Sequence, residues 1–219
     1  VGTYETFGKD GWVIPTESKY FHDVFVPGKD RKGAKNGQIV HVEIETFPTR
    51  HKPPVGKVKE VLGSSNDPNV EIQSIFRKHG VRQSFSPEVL DEARDVGAED
   101  PAESLKERKD FTKLLTFTID GERAKDFDDA VSLERFEEGY RLGVHIADVS
   151  HFVRENSLLD QEAFDRATSI YYADGVIPML PVSLSNEACS LKPNQPRLTV
   201  SAIMDFDSKA NFIAGTLHP

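Results

Sequence analysis

Ten consecutive residues, 120–129, contain four aspartates and one glutamate around a phenylalanine. We call residues 120–129 the acidic loop and its four aspartates the acidic cluster: Asp120, Asp126, Asp128 and Asp129. Side chains alternate between the two faces of an extended chain, so Asp126 and Asp128 would share a face and Asp129 would point away. The backbone must therefore turn within this run if the four carboxylates are to meet, and Gly121 is available to bend it.

Carboxylates that meet repel one another unless they are protonated or neutralised, and oxygen-only ligands suit Mg²⁺ or Mn²⁺. Four clustered acids fit metal-assisted phosphoryl chemistry. An EF-hand is excluded, because a loop starting at Asp120 has Ala124 and Lys125 where Asp or Asn and Gly are required, and a loop starting at Asp126 fails similarly. A glycosidase-type carboxylate pair and a solvated acidic loop stay open as alternatives.

The elements flanking the acidic loop predict a mixed α+β domain, with Phe127 and the pair Ala130-Val131 anchoring the loop to a core. "TFTID" (116–120) reads as a strand, and "AVSLERF" and "YRLGVHIA" read as a hairpin around residues 137–139. "SLLDQEAFDRA" (157–167) predicts a helix with Leu158, Leu159, Phe164 and Ala167 facing inward. "RLTVSAIMDFD" (197–207) predicts a strand with Leu198, Val200, Ala202, Met204 and Phe206 on one face.

The first 65 residues predict a small OB or cold-shock type barrel. Four short runs rich in Val, Ile and Phe are separated by Gly, Pro and Asn: 11–15, 23–27, 37–47 and 55–63. Residues 28–37, which we call the basic loop, carry four cations suited to phosphate contacts: Lys29, Arg31, Lys32 and Lys35. The alternative is a small sandwich with a solvated basic loop.

Residues 66–115 predict a helical linker without chemistry of its own. Ser86 and Pro87 begin one helix, and Gly80 and Gly97 are placed to end helices. Asp100 and Glu103 have the spacing of a capping box. The predicted order is therefore a barrel (1–65), a linker (66–115) and an α+β domain (116–219).

Composition suits a binding module joined to a cation-dependent site. The chain of 219 residues has a net charge of −9, with ten Lys/Arg against eight Asp/Glu in residues 1–65 and nine against seventeen in residues 117–219. No apolar stretch reaches the ~20 residues of a membrane span, so no membrane partner is expected. The single Cys189 allows no internal disulfide, which predicts a reducing cytoplasm.

Four motifs in this order resemble the catalytic domain of the ribonuclease II/ribonuclease R family: "TIDGERAKDFDDAVS", "LGVHIADVSHFV", "TSIYYADGVIPMLP" and "LSNEACSLKP". "HDVFVP" and "GAKNGQIVHVEI" in residues 1–65 resemble the second cold-shock domain of the same family, with a slight preference for its ribonuclease R branch. The resemblance implies a processive, Mg²⁺-dependent 3′-to-5′ exoribonuclease that acts as a monomer on single-stranded RNA and releases 5′-mononucleotides.

The resemblance also assigns roles to residues. The four active-site aspartates of the family fall on the acidic cluster, and the aromatic that packs against the 3′ end of RNA falls on Tyr171. Without the resemblance, Tyr171 would be read as a core aromatic, His145 and His151 as structural, and Cys189 as a buried apolar residue. Ala173 stands where the family pattern usually has proline.

The family's catalytic domain continues beyond the equivalent of residue 219, so this sequence is expected to be a central fragment that is weak or inactive alone. A non-catalytic RNA-binding or regulatory protein built on the barrel is the rival function.

Overall fold

The computed structural model describes residues 1–98 and 105–219. The predicted capping box at Asp100 and Glu103 lies outside them. Two compact units are formed, Val1–Gln83 and Ser84–Pro219. The predicted boundaries at residues 65 and 115 stay predictions, because compact units need not coincide with functional domains.

The first unit contains a closed five-stranded barrel with the strand order β1-β2-β3-β5-β4. The strands are β1 (Gly2–Phe7), β2 (Asp10–Pro15), β3 (Val24–Val26), β4 (Gln38–Thr46) and β5 (Val55–Ser64). Alternate residues point inward and form a core of Tyr4, Val13, Val24, Val26, Ala34, Val40 and Val58. Register shifts between β4 and β5 mark bulges that help a short sheet to curve closed. The predicted barrel is confirmed.

Helix α1 (Pro68–Lys78) packs within the first unit. Asp67 caps its first turn by accepting from the backbone N–H of Asn69, and Gly80 follows its end with φ of +64°, a conformation that favours glycine. Val70 and Phe76 are buried, and the Arg77 Nε lies 2.6 Å from Glu60 Oε2 on β5. Burial and this ion pair fix α1 against the barrel.

The second unit is built on the five-stranded sheet β12-β11-β8-β7-β6. Its strands are β6 (Thr116–Phe117), β7 (Asp129–Phe136), β8 (Gly139–Ala147), β11 (Thr199–Asp207) and β12 (Phe212–His218). A separate hairpin pairs β9 (Ile170–Tyr172) with β10 (Gly175–Ile177). Strands β7 and β8 form the predicted hairpin, with Phe136 opposite Gly139. The fold is α+β, as predicted.

Among its described residues, the second unit also contains three helices and a π-helical turn: α2 (Pro87–Gly97), α3 (Val149–Phe152), α4 (Leu158–Arg166) and the turn Ser183–Ala188. Ser86 caps α2 by accepting from the backbone N–H of Val89, as expected from the sequence. These elements share a core of Val89, Ala93, Ala147, Leu159, Leu184 and Cys189. No helix in the described part of the chain is long and apolar enough to cross a membrane.

The predicted inner face of α4 was wrong. Only Leu159 is buried; Phe164 is 84% exposed, and Leu158 and Ala167 are also exposed. The inner face instead carries the Arg166–Glu162 ion pair, with Arg166 Nε 2.9 Å from Glu162 Oε1. A buried ion pair gives no apolar periodicity, so the sequence pattern pointed to the wrong side of the helix.

The apolar residues predicted to share one face of β11 do not make that face its most buried one. Val200 is exposed and Ser201 is almost fully buried. The Ser201 hydroxyl lies 2.9 Å from His145 Nδ1 on the neighbouring strand, and Ser132 lies 3.0 Å from His145 Nε2 on the other side. A hydrogen-bonded His and two Ser therefore occupy part of the sheet interior where an apolar face was expected.

Candidate active site

The acidic loop leads from β6 to β7 and contains the turn that the sequence required. The backbone N–H of Ala124 donates to the Gly121 carbonyl over 2.9 Å, which closes a turn between Asp120 and the other acids. An irregular run follows to Asp128, and β7 begins at Asp129. Ala130 is buried and Phe127 is half-buried, so apolar side chains anchor the loop between its acids.

Asp120, Asp126 and Asp129 lie close enough to Asp128 to affect its carboxyl group. Partial burial raises the pKa of the Asp128 carboxyl above the usual aspartate value. The negative charges of the other three members of the cluster raise this pKa further. The negative charges of the loop therefore disfavour the ionised form of Asp128, and a bound cation would offset that repulsion.

Tyr171, on the two-stranded hairpin, meets the acidic loop. Its hydroxyl donates to Asp126 Oδ2 over 2.8 Å, and its side chain is 69% exposed. The hydrogen bond to Asp126, then burial and the nearby carboxylate charges, raises the pKa of the Tyr171 phenol. The alternative that Tyr171 is a core aromatic is wrong, because a core side chain would be buried.

The loop backbone is tied to the end of β8. The Ala147 N–H donates to the Asp128 carbonyl over 2.8 Å. The next residue, Asp148, is buried, caps α3 by accepting from the His151 N–H, and pairs with Arg108. Burial alone would raise the Asp148 pKa, but hydrogen bonds from Ser150 and Arg108 outweigh it, so that the pKa lies below its usual value.

Sequence reasoning missed Ser190, which bonds the loop backbone, and the Arg108–Asp148 pair at the end of β8. None of these three residues belongs to an apolar period. The Ser190 hydroxyl contacts the loop backbone on both sides of Asp126. The motif "ACSL" contains Ser190, but a buried hydrogen-bonding serine has no periodic signature.

The carboxylates of the acidic cluster do not form a preorganised metal-binding site in this structure. Within residues 1–98 and 105–219, no group of three or more Asp, Glu, His or Cys side chains is arranged to hold a metal ion. One Asp126 oxygen is occupied by the Tyr171 hydroxyl. The donor chemistry of the cluster nevertheless fits a hard divalent cation, since all four side chains offer carboxylate oxygens.

Two other reactive residue types in this unit have structural surroundings. Both ring nitrogens of His145 contact serine hydroxyls, and burial lowers its pKa. Burial, with a smaller effect of nearby carboxylates, raises the pKa of the Cys189 thiol to about 12, so Cys189 is a thiol rather than a nucleophilic thiolate.

The basic loop lies in the first unit, between β3 and β4. Its four cationic residues are exposed, and a 3₁₀ turn spans Gly28–Asp30. The Lys32 ammonium donates to the Lys59 carbonyl over 2.7 Å, so Lys32 also has a role in holding the loop. Lys29, Arg31 and Lys35 present their charge to solvent.

Comparisons with known proteins match both units. An RNB domain model matches residues 108–219, and a cold shock domain model matches residues 12–86. Ribonuclease R of Thermotoga maritima is 44% identical over 222 aligned residues, covering 100% of this chain and 31% of the relative. The chain thus spans about a third of the length of this curated relative.

Solved structures give the same result. Mycoplasma genitalium RNase R in complex with double-stranded RNA superposes with a TM-score of 0.91 at 27% identity, covering 100% of this chain and 39% of that one. The same enzyme with ribose-methylated single-stranded RNA gives a TM-score of 0.92 at 26% identity, covering 100% of this chain and 35% of that one. Because the RNB domain model covers just over half of the sequence and coincides with the acidic loop and its supporting sheet, the chain belongs to the RNB domain family, with a cold-shock domain preceding the RNB domain as in the ribonuclease R proteins it is similar to.

Proposed function

We propose that the protein is a Mg²⁺-dependent 3′-to-5′ exoribonuclease that removes 5′-mononucleotides processively from single-stranded RNA, acting as a monomer in a reducing cytoplasm. The observation that carries the proposal is the gathering of Asp128 with three further aspartates in one loop between paired strands, where partial burial and then the charges of these neighbours raise the Asp128 pKa. Membership of the RNB domain family and the similarity to ribonuclease R support it.

In this proposal the acidic cluster holds Mg²⁺, with Mn²⁺ as a substitute. Bound metal would lower the pKa of a water ligand and offset negative charge on the phosphate. The protein's own part is to keep four carboxyl groups close together in one loop, which the packing of Phe127 and Ala130 supports. Asp126 must share its oxygens between this role and the Tyr171 hydroxyl.

Two surfaces would bind the RNA. The exposed ring of Tyr171 lies next to the acidic cluster and would stack on a base near the 3′ end. The basic loop would contact phosphates without sequence preference. The Mycoplasma genitalium RNase R structures contain RNA, which supports RNA as the polymer bound by this chain.

Replacing Asp128 by asparagine tests the proposal. In the whole protein that carries this sequence, Asp128→Asn should lower the rate of 3′-end hydrolysis by roughly 10²–10³-fold or more, since the amide keeps the shape but loses the charge. RNA affinity measured in EDTA should stay unchanged. The thermal midpoint in EDTA should not fall, because the substitution removes a charge that three neighbours repel.

Asp95→Asn on α2 is the matched control, since Asp95 is exposed and outside the acidic loop. It should leave hydrolysis intact. Near-normal turnover of Asp128→Asn at saturating Mg²⁺ would refute the assigned role. A wild-type protein that binds RNA but releases no mononucleotide with either metal would favour the non-catalytic RNA-binding alternative.

A further inference from the structure

Ser190 lies at the centre of the contacts that shape the acidic loop. It follows the π-helical turn Ser183–Ala188, and its side chain is fully buried. The hydroxyl accepts from the Phe127 N–H over 3.2 Å and donates to the Lys125 carbonyl over 2.8 Å. These two backbone groups lie on either side of Asp126. One hydroxyl therefore bonds the backbone both before and after this member of the acidic cluster.

Ser190 is itself held firmly. Its carbonyl accepts from Arg197 Nε over 2.9 Å and from the Lys192 N–H over 2.8 Å. The following residue extends the contact, because the Leu191 N–H donates to the Phe127 carbonyl over 3.0 Å. Both backbone groups of Phe127 are therefore fixed by the segment that contains Ser190.

The chemistry of this position requires a group that donates and accepts at the same time. A serine hydroxyl has one donor and two acceptor lone pairs, whereas alanine has neither. Removing the hydroxyl would leave the Lys125 carbonyl and the Phe127 N–H without this partner in a partly buried place, which is costly for backbone groups that water does not reach. Those groups would seek other partners, and the loop would change its path.

A change in the backbone path of the loop would alter the directions of its aspartate side chains. Asp126 and Asp128 flank Phe127, so their side-chain directions follow from the backbone at Phe127. The Asp128 carbonyl is fixed from the opposite side by the Ala147 N–H at 2.8 Å. Ser190 and Ala147 together define the path between Lys125 and Asp128.

We propose that Ser190 is a positioning residue for the acidic cluster: by holding the backbone on both sides of Asp126, it sets the directions of Asp126 and Asp128 for metal binding. This inference rests on the proposed function, because it requires the cluster to bind a divalent cation. It assigns Ser190 no contact with RNA or metal.

Ser190→Ala and Ser201→Ala form a matched pair for the test. Both serines are buried and have two side-chain hydrogen bonds, but Ser201 contacts His145 and Thr199 instead of the acidic loop. Binding of Mn²⁺ to the metal-free whole protein is measured by electron paramagnetic resonance, with thermal unfolding measured alongside. Ser190→Ala should weaken Mn²⁺ binding roughly 10–100-fold, the usual effect of removing a residue that orients metal ligands. Ser201→Ala should leave Mn²⁺ affinity unchanged even if its thermal midpoint falls as far.

The outcomes separate the two proposals. If wild-type protein binds no Mn²⁺, the proposed function fails and this inference fails with it. If wild-type protein binds Mn²⁺ and Ser190→Ala binds it equally well, or if Ser201→Ala weakens binding as much, only the positioning role is overturned. Should Ser190→Ala not fold, Ser190→Cys keeps the size with weaker hydrogen bonds, and unchanged Mn²⁺ affinity in that variant would overturn the role.

Discussion

At the scale of single residues, Tyr171 connects the hairpin that carries it to the acidic cluster. Its hydroxyl donates a hydrogen bond to Asp126, while most of the side chain is exposed to solvent. The ring is available to a base, and the hydroxyl is available to the loop. Substitutions can separate these two roles.

Tyr171→Ala should weaken the affinity for short oligoribonucleotides by ~1–3 kcal/mol, the typical cost of losing a base-stacking aromatic. Tyr171→Phe keeps the ring and should keep that affinity, although it loses the bond to Asp126. Fluorescence anisotropy in EDTA measures both values without turnover. In the presence of Mg²⁺, Tyr171→Ala should also change the length of the final product.

Tyr172→Ala is the neighbouring control, because adjacent residues of a strand face opposite sides. It should bind short RNA normally. If Tyr171→Ala and Tyr172→Ala give the same affinity and the same end product as the wild type, base stacking at Tyr171 is refuted.

At the scale of elements, the four cations of the basic loop have different structural surroundings. Lys32 has a positive φ of 49°, and its ammonium contacts the Lys59 carbonyl, so its conformation is part of the loop structure. Lys29, Arg31 and Lys35 are exposed. We therefore expect these three to contribute most of the phosphate contacts.

Replacing Lys29, Arg31 and Lys35 together by alanine should flatten the salt dependence of RNA binding. Each phosphate of a single strand that the protein no longer neutralises changes the slope of log K against log salt by roughly 0.7. The measurement is a titration of a uridine homopolymer at several salt concentrations in EDTA.

Lys19→Ala is the control in the same unit, since Lys19 lies outside the basic loop and its ammonium is 2.7 Å from Glu17 Oε2. Its slope should equal that of the wild type. An equal slope for the loop variant would mean that the phosphates are bound elsewhere.

At the scale of the whole molecule, the first compact unit includes α1 as well as the barrel. The sequence placed residues 66–115 in a linker, yet Val70 and Phe76 are each only 5% exposed and Arg77 pairs with Glu60. Burial of such apolar side chains contributes roughly 1.5–3 kcal/mol each. The helix should therefore stabilise the barrel rather than merely follow it.

Residues 1–83 expressed alone should unfold in one cooperative transition, because their core lies entirely within the unit. Residues 1–65 should have a lower thermal midpoint or be unfolded. Circular dichroism of the two polypeptides makes the comparison, with Phe76→Ala in residues 1–83 as an intermediate case. Equal midpoints for both lengths would show that α1 adds nothing and would support the boundary at residue 65.

The amino-acid sequence by itself determined the features that depend on near neighbours. Runs rich in Val, Ile and Phe predicted four of the five barrel strands, β2 to β5, and flanking strand patterns predicted the β7–β8 hairpin. Ser86 and Pro87 predicted the start of α2, and Gly80 predicted the end of α1. The four aspartates of the acidic cluster were also visible as near neighbours in the sequence, and the turn that follows Gly121 lies between Asp120 and the other three.

Only the tertiary structure decided which distant residues hold the acids in place. Ser190 lies 63 residues from Phe127, and Tyr171 lies 45 residues from Asp126, so no local period relates them. The polar inner faces of α4 and β11 were hidden for a related reason. Ion pairs and hydrogen bonds can fill an interior as apolar groups do, but many of their partners are distant in the sequence, as Ser84 is from Arg166 and Ser201 from His145, and only folding brings those partners together.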